Sequence, residues 1–190
     1  MKLICLGDSL TFGFGVRQSE RWTSLLEADT GWEVINLGIN GDTTDGMLKR
    51  LHVDVISRMA PGPTHVFVMG GSNDIGMSAS DERARKNIAA IAKTLISEGA
   101  RPIIGIPMLP DLSRFPMIPR SFLDCIIGYA KWLMEFSLES GLKYIDFGAD
   151  FLTPQGEARS ELYMDGVHPS AEGHRIMADR AKLDIGLTLL

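Results

Sequence analysis

Ser9 stands between Asp8 and Leu10, just after an apolar run. Far down the chain, Asp165 and His168 lie three residues apart in Asp165-Gly166-Val167-His168-Pro169. These three residue types can carry out nucleophilic acyl transfer. A serine hydroxyl is a poor nucleophile until a base takes its proton, and His168 is the candidate base. An imidazole in that role needs a partner that fixes its tautomer and stabilises its charged form, and Asp165 is within reach on the same loop. The tetrahedral oxyanion needs donors aimed at it, and three are candidates: the backbone N–H groups of Ser9 and Gly41 and the side-chain amide of Asn73. Ser9 is not flanked by the Gly-x-Ser-x-Gly elbow, which excludes an ordinary α/β-hydrolase.

Taken singly, each residue has a plainer explanation. A serine after a strand usually caps a helix or shapes a turn, and Gly41 and Asn73 are common turn formers. Asp165 and His168 ahead of Pro169 also suit a helix start, with Pro169 in the first turn of the closing helix. Asp8, Asp42 and Asp74 could suggest a carboxylate cluster for a divalent cation, but capping and loop hydrogen bonds explain them equally well. His52, His65 and His174 lack partners at metal-ligand spacing, so no metal or other cofactor is expected. Gly13-Phe14-Gly15 lacks the lysine and third glycine of a nucleotide fingerprint.

The elements that position these residues are legible in the hydropathy. Short apolar runs at 3–6, 34–37, 66–69, 103–106 and 144–146 are mostly continuous, as in parallel strands covered on both faces. Helical periods lie between them. Ile88, Ile91, Ala92, Leu95 and Ile96 form one stripe, and Phe122, Ile126, Tyr129, Leu133 and Phe136 form another, which Gly141 stops. Leu48, Leu51, Val55 and Met59 repeat the pattern after the second strand, with Asp42 as its cap and Asp45 in its first turn. Pro61-Gly62-Pro63 makes a tight entry to the third strand.

Such alternation predicts right-handed crossovers and an α/β fold: a three-layer α/β/α sandwich around a five-stranded parallel sheet, in the flavodoxin-like order 2-1-3-4-5. Ligands in such sheets bind beyond the carboxyl ends of the strands. Ser9 follows the first run, Gly41 the second and Asn73 the third. A proline-rich loop, 107–119, follows the fourth, and the fifth leads to Asp165 and His168. One sheet edge therefore collects all the candidates.

The chain has 190 residues, 45% of them hydrophobic, which suits one domain over 1–190. Its net charge of −5 and the absence of basic runs argue against nucleic acid and against a polybasic membrane anchor. No apolar stretch has signal-peptide or membrane-spanning form, so a cytoplasmic protein without integral membrane association is expected. Cys5 and Cys125 read as small core residues rather than a disulfide.

The blocks Gly7-Asp8-Ser9-Leu10, Gly41 within "NLGINGDTT", Gly71-Ser72-Asn73-Asp74 and Asp165 to His168 come in one order along the chain. In that order they resemble the SGNH, or GDSL, hydrolases, over residues 7–168. The Gly-Asp-Thr of the second block is similar to the lysophospholipase/thioesterase-like branch of bacterial esterases. The resemblance implies the same sandwich, with Ser9 as nucleophile, His168 as base, Asp165 completing the triad, and Ser9, Gly41 and Asn73 around the oxyanion. It also implies a small-molecule ester as the partner: an acyl ester, a lysophospholipid or an acyl thioester. Asp8 and the loop residues Met108, Leu109 and Phe115 are candidate substrate contacts, although the loop could instead pack its apolar residues onto the core. A carbohydrate O-acetyl esterase or an acyltransferase would use the same site. From other classes, a phosphate or nucleotide binder and a catalytically silent interaction module remain open. The oligomeric state has no signature in the sequence.

Overall fold

A computed structural model describes residues 1–59 and 64–186. Five strands form one parallel sheet: β1 (Lys2–Gly7), β2 (Glu33–Gly38), β3 (His65–Met69), β4 (Arg101–Ile106) and β5 (Lys143–Asp146). Their order is β2-β1-β3-β4-β5, the expected 2-1-3-4-5. Successive side chains of a strand point to opposite faces. In β1, Ile4 and Leu6 enter one apolar cluster while Leu3 and Cys5 enter the other, and in β3 Val66 and Val68 part from Phe67 and Met69 in the same way. Both faces are covered, which is why these runs are continuous rather than alternating.

Helices α3 (Thr44–Arg50), α5 (Glu82–Ser97) and α6 (Arg120–Glu139) cover one face through Met47, Ile88, Ile91, Leu95, Ile126, Tyr129 and Leu133. Helices α2 (Trp22–Thr30) and α7 (Ala171–Gly186) pack together on the other, with Trp22, Leu26, Met177 and Ala181. Two shorter helices, α1 (Ser9–Phe12) and α4 (Ser72–Ser78), start directly beyond the ends of β1 and β3. Among the described residues, no helix is long and apolar enough to cross a membrane. Cys5 and Cys125 are free thiols associated with opposite faces of the sheet.

Four local expectations change. Thr43, not Asp42, caps α3: its hydroxyl accepts the Gly46 N–H, while the Asp42 carboxylate turns to Arg50. Asp45 does lie in the first turn of that helix. The helix expected through Met59 ends at Arg50 and continues as a π turn, Leu51–Val55, and a 3-10 turn, Ile56–Arg58; Leu51 and Val55 are still buried. Pro169 precedes α7, in a bridge to Tyr163, and the Ser170 hydroxyl accepts the Gly173 N–H at the helix start. Ile96 leaves its apolar stripe and is half-exposed. Pro61-Gly62-Pro63 lies outside the described residues.

Candidate functional site

The carboxyl ends of β1 and β3 flank the point where the chain order reverses in the sheet, the usual place for a ligand crevice. Ser9 is the first residue of α1, directly after β1. Asp8 caps that helix, its Oδ1 accepting the Leu10 N–H at 3.0 Å. The turn is tight because α1 crosses the end of β2: a Cβ on Gly38 would come within 2.1 Å of the Phe12 nitrogen. The helix stops after one turn at Gly13, where φ is +82°, a conformation that suits glycine.

Ser9 Oγ lies 3.0 Å from His168 Nε2, and His168 Nδ1 lies 2.8 Å from Asp165 Oδ2. The other carboxylate oxygen of Asp165 accepts the backbone N–H groups of Val167, at 2.9 Å, and His168, at 2.8 Å. A carboxylate only accepts, so Nδ1 carries the imidazole proton and Nε2 is left to accept from the serine hydroxyl. Burial pushes the Asp165 carboxyl upward, but the hydrogen bonds from His168 and Val167 outweigh it and hold the group below the usual carboxylate range. The loop carrying Asp165 and His168 is closed at its neck, where Met164 N–H donates to the His168 carbonyl at 2.8 Å. It is tied to the 107–119 loop by Asp111 N–H on the Gly166 carbonyl and Arg114 on the Tyr163 carbonyl.

Gly41, at φ +73°, is the third residue of a turn closed by Asp42 N–H on the Ile39 carbonyl. Asn73, in the first turn of α4, donates one side-chain N–H to the Asp42 carbonyl at 2.8 Å. The second and third blocks are thereby joined, and the amide retains a second hydrogen. Below them, Asp74 accepts the Thr44 N–H at 2.9 Å and its hydroxyl at 2.6 Å, locking α4 to α3. Gly71 has φ +114° and lies on the ring of Tyr129, whose hydroxyl donates to the Gly70 carbonyl.

Ser9, His168 and Asp165 thus form one hydrogen-bonded chain, while Asn73 bonds the carbonyl of Asp42, the residue after Gly41. The four candidate substrate contacts divide. Asp8 is 1% exposed and turned into the helix cap, and Met108, 5% exposed, packs in the core on the α2–α7 face. Neither is available to a ligand on the surface, because capping and packing consume both side chains. Leu109 lines an apolar cavity of about 500 Å³ with Ile106, Ile127, Met134 and Leu152. Phe115 is 44% exposed, its Cβ near Gly166.

Two residues were not singled out from the sequence. Arg50 bonds the Asp42 carboxylate at 2.8 Å and the Gly7 carbonyl at 3.0 Å, clamping the first block to the second. Nothing in the local sequence marks it, since both partners are tertiary. Phe14 places its ring 4.6 Å, centroid to centroid, from that of His168; its only signal was the pair of glycines around it.

Comparison with known proteins shows the family and the fold. A family model described as "GDSL-like Lipase/Acylhydrolase family" matches residues 5–176. The chain is 27% identical over 174 residues to esterase TesA of Pseudomonas aeruginosa, covering 88% of this chain and 79% of the relative. It is 25% identical over 181 residues to thioesterase 1/protease 1/lysophospholipase L1 of Escherichia coli, covering 93% and 79%. A crystal structure of a member of the lipolytic protein G-D-S-L family from Veillonella parvula superposes with a TM-score of 0.80 at 26% identity, covering 95% of this chain and 96% of that one.

Proposed function

The chain belongs to the GDSL-like lipase/acylhydrolase family and is a hydrolase acting on esters, and from that premise we propose that it is a single-domain serine esterase working through an acyl-enzyme on Ser9. The observation that carries the reading is the continuous hydrogen-bonded chain from Ser9 Oγ through His168 to Asp165. His168 Nε2 takes the hydroxyl proton as Oγ attacks the ester carbonyl. The Asp165 carboxylate stabilises the imidazolium that forms and keeps the ring in the productive tautomer. The N–H groups of Ser9, Gly41 and Asn73 receive the oxyanion, and His168 returns its proton to the departing alkoxide or thiolate. Water, activated by the same imidazole, then releases the acid.

For the substrate we assign an acyl ester, with lysophospholipids and acyl thioesters in the same class. The half-exposed Phe115, beside Gly166 in the loop that carries Asp165 and His168, supports this assignment, and the names of the two relatives point the same way. The test is a fluorophosphonate, which forms a stable adduct only with an activated serine. One adduct on Ser9 is expected, and Ser9→Ala should abolish both labelling and release of p-nitrophenol from acyl esters. Hydrolysis that survives Ser9→Ala would overturn the reading.

A further inference from the structure

Resting on the esterase reading above, we propose that Gly13-Phe14-Gly15 is a positioning device for the base, in which Phe14 braces the His168 imidazole between Ser9 and Asp165. The ring of Phe14 lies 4.6 Å from that of His168 at an interplanar angle of 46°. It is 41% exposed, so burial in the core does not account for its place.

The backbone is built to put the ring there. Gly13 and Gly15 both have positive φ, +82° and +83°, one on each side of Phe14. An L side chain at either position would be strained, which favours glycine on both sides of Phe14. The N–H groups of Gly13 and Phe14 both donate to the Ser9 carbonyl, at 3.0 and 3.1 Å. The residue that presents the nucleophile therefore anchors the residue that touches the base. On the far side Met164, next to Asp165 in the chain, lies against Gly15: a Cβ there would fall 1.9 Å from the Met164 methyl carbon. Arg21 packs against Gly13 and over the Phe12 ring, fixing the other flank.

The need for a brace follows from how His168 is held. Its two ring hydrogen bonds act in the plane of the imidazole, so they resist rocking of the ring out of that plane less than motion within it. A contact from Phe14 opposes that rocking and keeps Nε2 aimed at Oγ. Aromatic rings also attract cations, so the contact strengthens when His168 becomes imidazolium during attack. An interaction that grows toward the transition state lowers kcat when it is lost, rather than raising KM.

The experiment uses p-nitrophenyl acetate, whose acyl group is too short to reach distant apolar contacts, with wild type, Phe14→Leu and Phe14→Tyr. Phe14→Leu should lower kcat about fivefold or more with KM changed less than twofold, and Phe14→Tyr should restore kcat. Labelling of Ser9 by a small fluorophosphonate should slow in parallel, with no loss of thermal midpoint large enough to unfold the variant at assay temperature. An unchanged kcat, a rise in KM alone, or failure of tyrosine to restore the rate would overturn the brace. Phe14→Met, a second flexible replacement, checks that the leucine result does not come from local misfolding. Failure of the esterase reading would look different: wild type itself would be inactive and unlabelled, or Ser9→Ala would remain active.

Discussion

Asp165 holds His168 twice, through the ring Nδ1 at 2.8 Å and through the backbone N–H at 2.8 Å, with a different carboxylate oxygen for each. Every group facing this carboxylate is a donor. An asparagine cannot satisfy that arrangement, because one of its two ends is itself a donor. With its NH₂ toward Nδ1, it forces the proton onto Nε2, where the ring can no longer accept from Ser9. With its NH₂ toward the backbone, it opposes the N–H groups of Val167 and His168 and loosens the turn. Asp165→Asn should therefore lower kcat by about 10³–10⁴-fold, measured as p-nitrophenol release under saturating substrate. A loss smaller than tenfold would mean that another group orients the imidazole.

Asn73 spends one side-chain hydrogen on the Asp42 carbonyl, which aims the amide and leaves its second hydrogen for the oxyanion of the proposed mechanism. Removing a donor of this kind costs about 10²–10³ in kcat. Asn73→Ala should show that loss for short and long acyl esters alike, since the oxyanion is common to all of them. Its KM should stay within a few-fold of wild type. A loss that depended on chain length would place Asn73 beside the acyl group instead.

Much of this site was legible in the sequence because its order is carried by strand ends. The runs before Ser9 and Asn73 are apolar at every position, since alternate residues feed two separate clusters, and each run delivers its next residue to the same sheet edge. What stayed hidden depends on partners far along the chain. Asp42 and Thr43 are both favoured caps by type, with aspartate the better; Arg50, which also holds the Gly7 carbonyl, draws Asp42 away. Gly38 ends a strand like many glycines, and only the approach of Phe12 shows why no Cβ fits. Met108 and Phe115 are both apolar residues of one proline-rich loop, yet one faces the core and the other solvent. The contact between Phe14 and His168 joins residues from opposite ends of the chain, and only the glycines around Phe14 hinted at a function.

Asp8 gives the protein a pH-dependent stability that one substitution should remove. Its carboxyl is pushed up from 3.8 to about 7, first by burial and then by the neighbouring charges of Asp42 and Asp74, against the Leu10 N–H that favours its ionised form. Between about pH 4 and pH 7 the folded protein therefore keeps a proton that the unfolded chain releases. Stability from this group is present at low pH, falls as pH rises through that window, and is lost above it. Asparagine keeps an oxygen for the Leu10 N–H and is an equally good cap, but it never ionises. Asp8→Asn should thus gain on wild type as pH rises from 5 to 8, by about 3 kcal/mol, read as the difference between urea midpoints at each pH. His174, held down to about 4 mainly by burial, imposes a slope of the opposite sign between roughly pH 4 and 6.5. That slope is common to both proteins and cancels in the difference. Parallel midpoints across the whole range would show that Asp8 is not the group responsible.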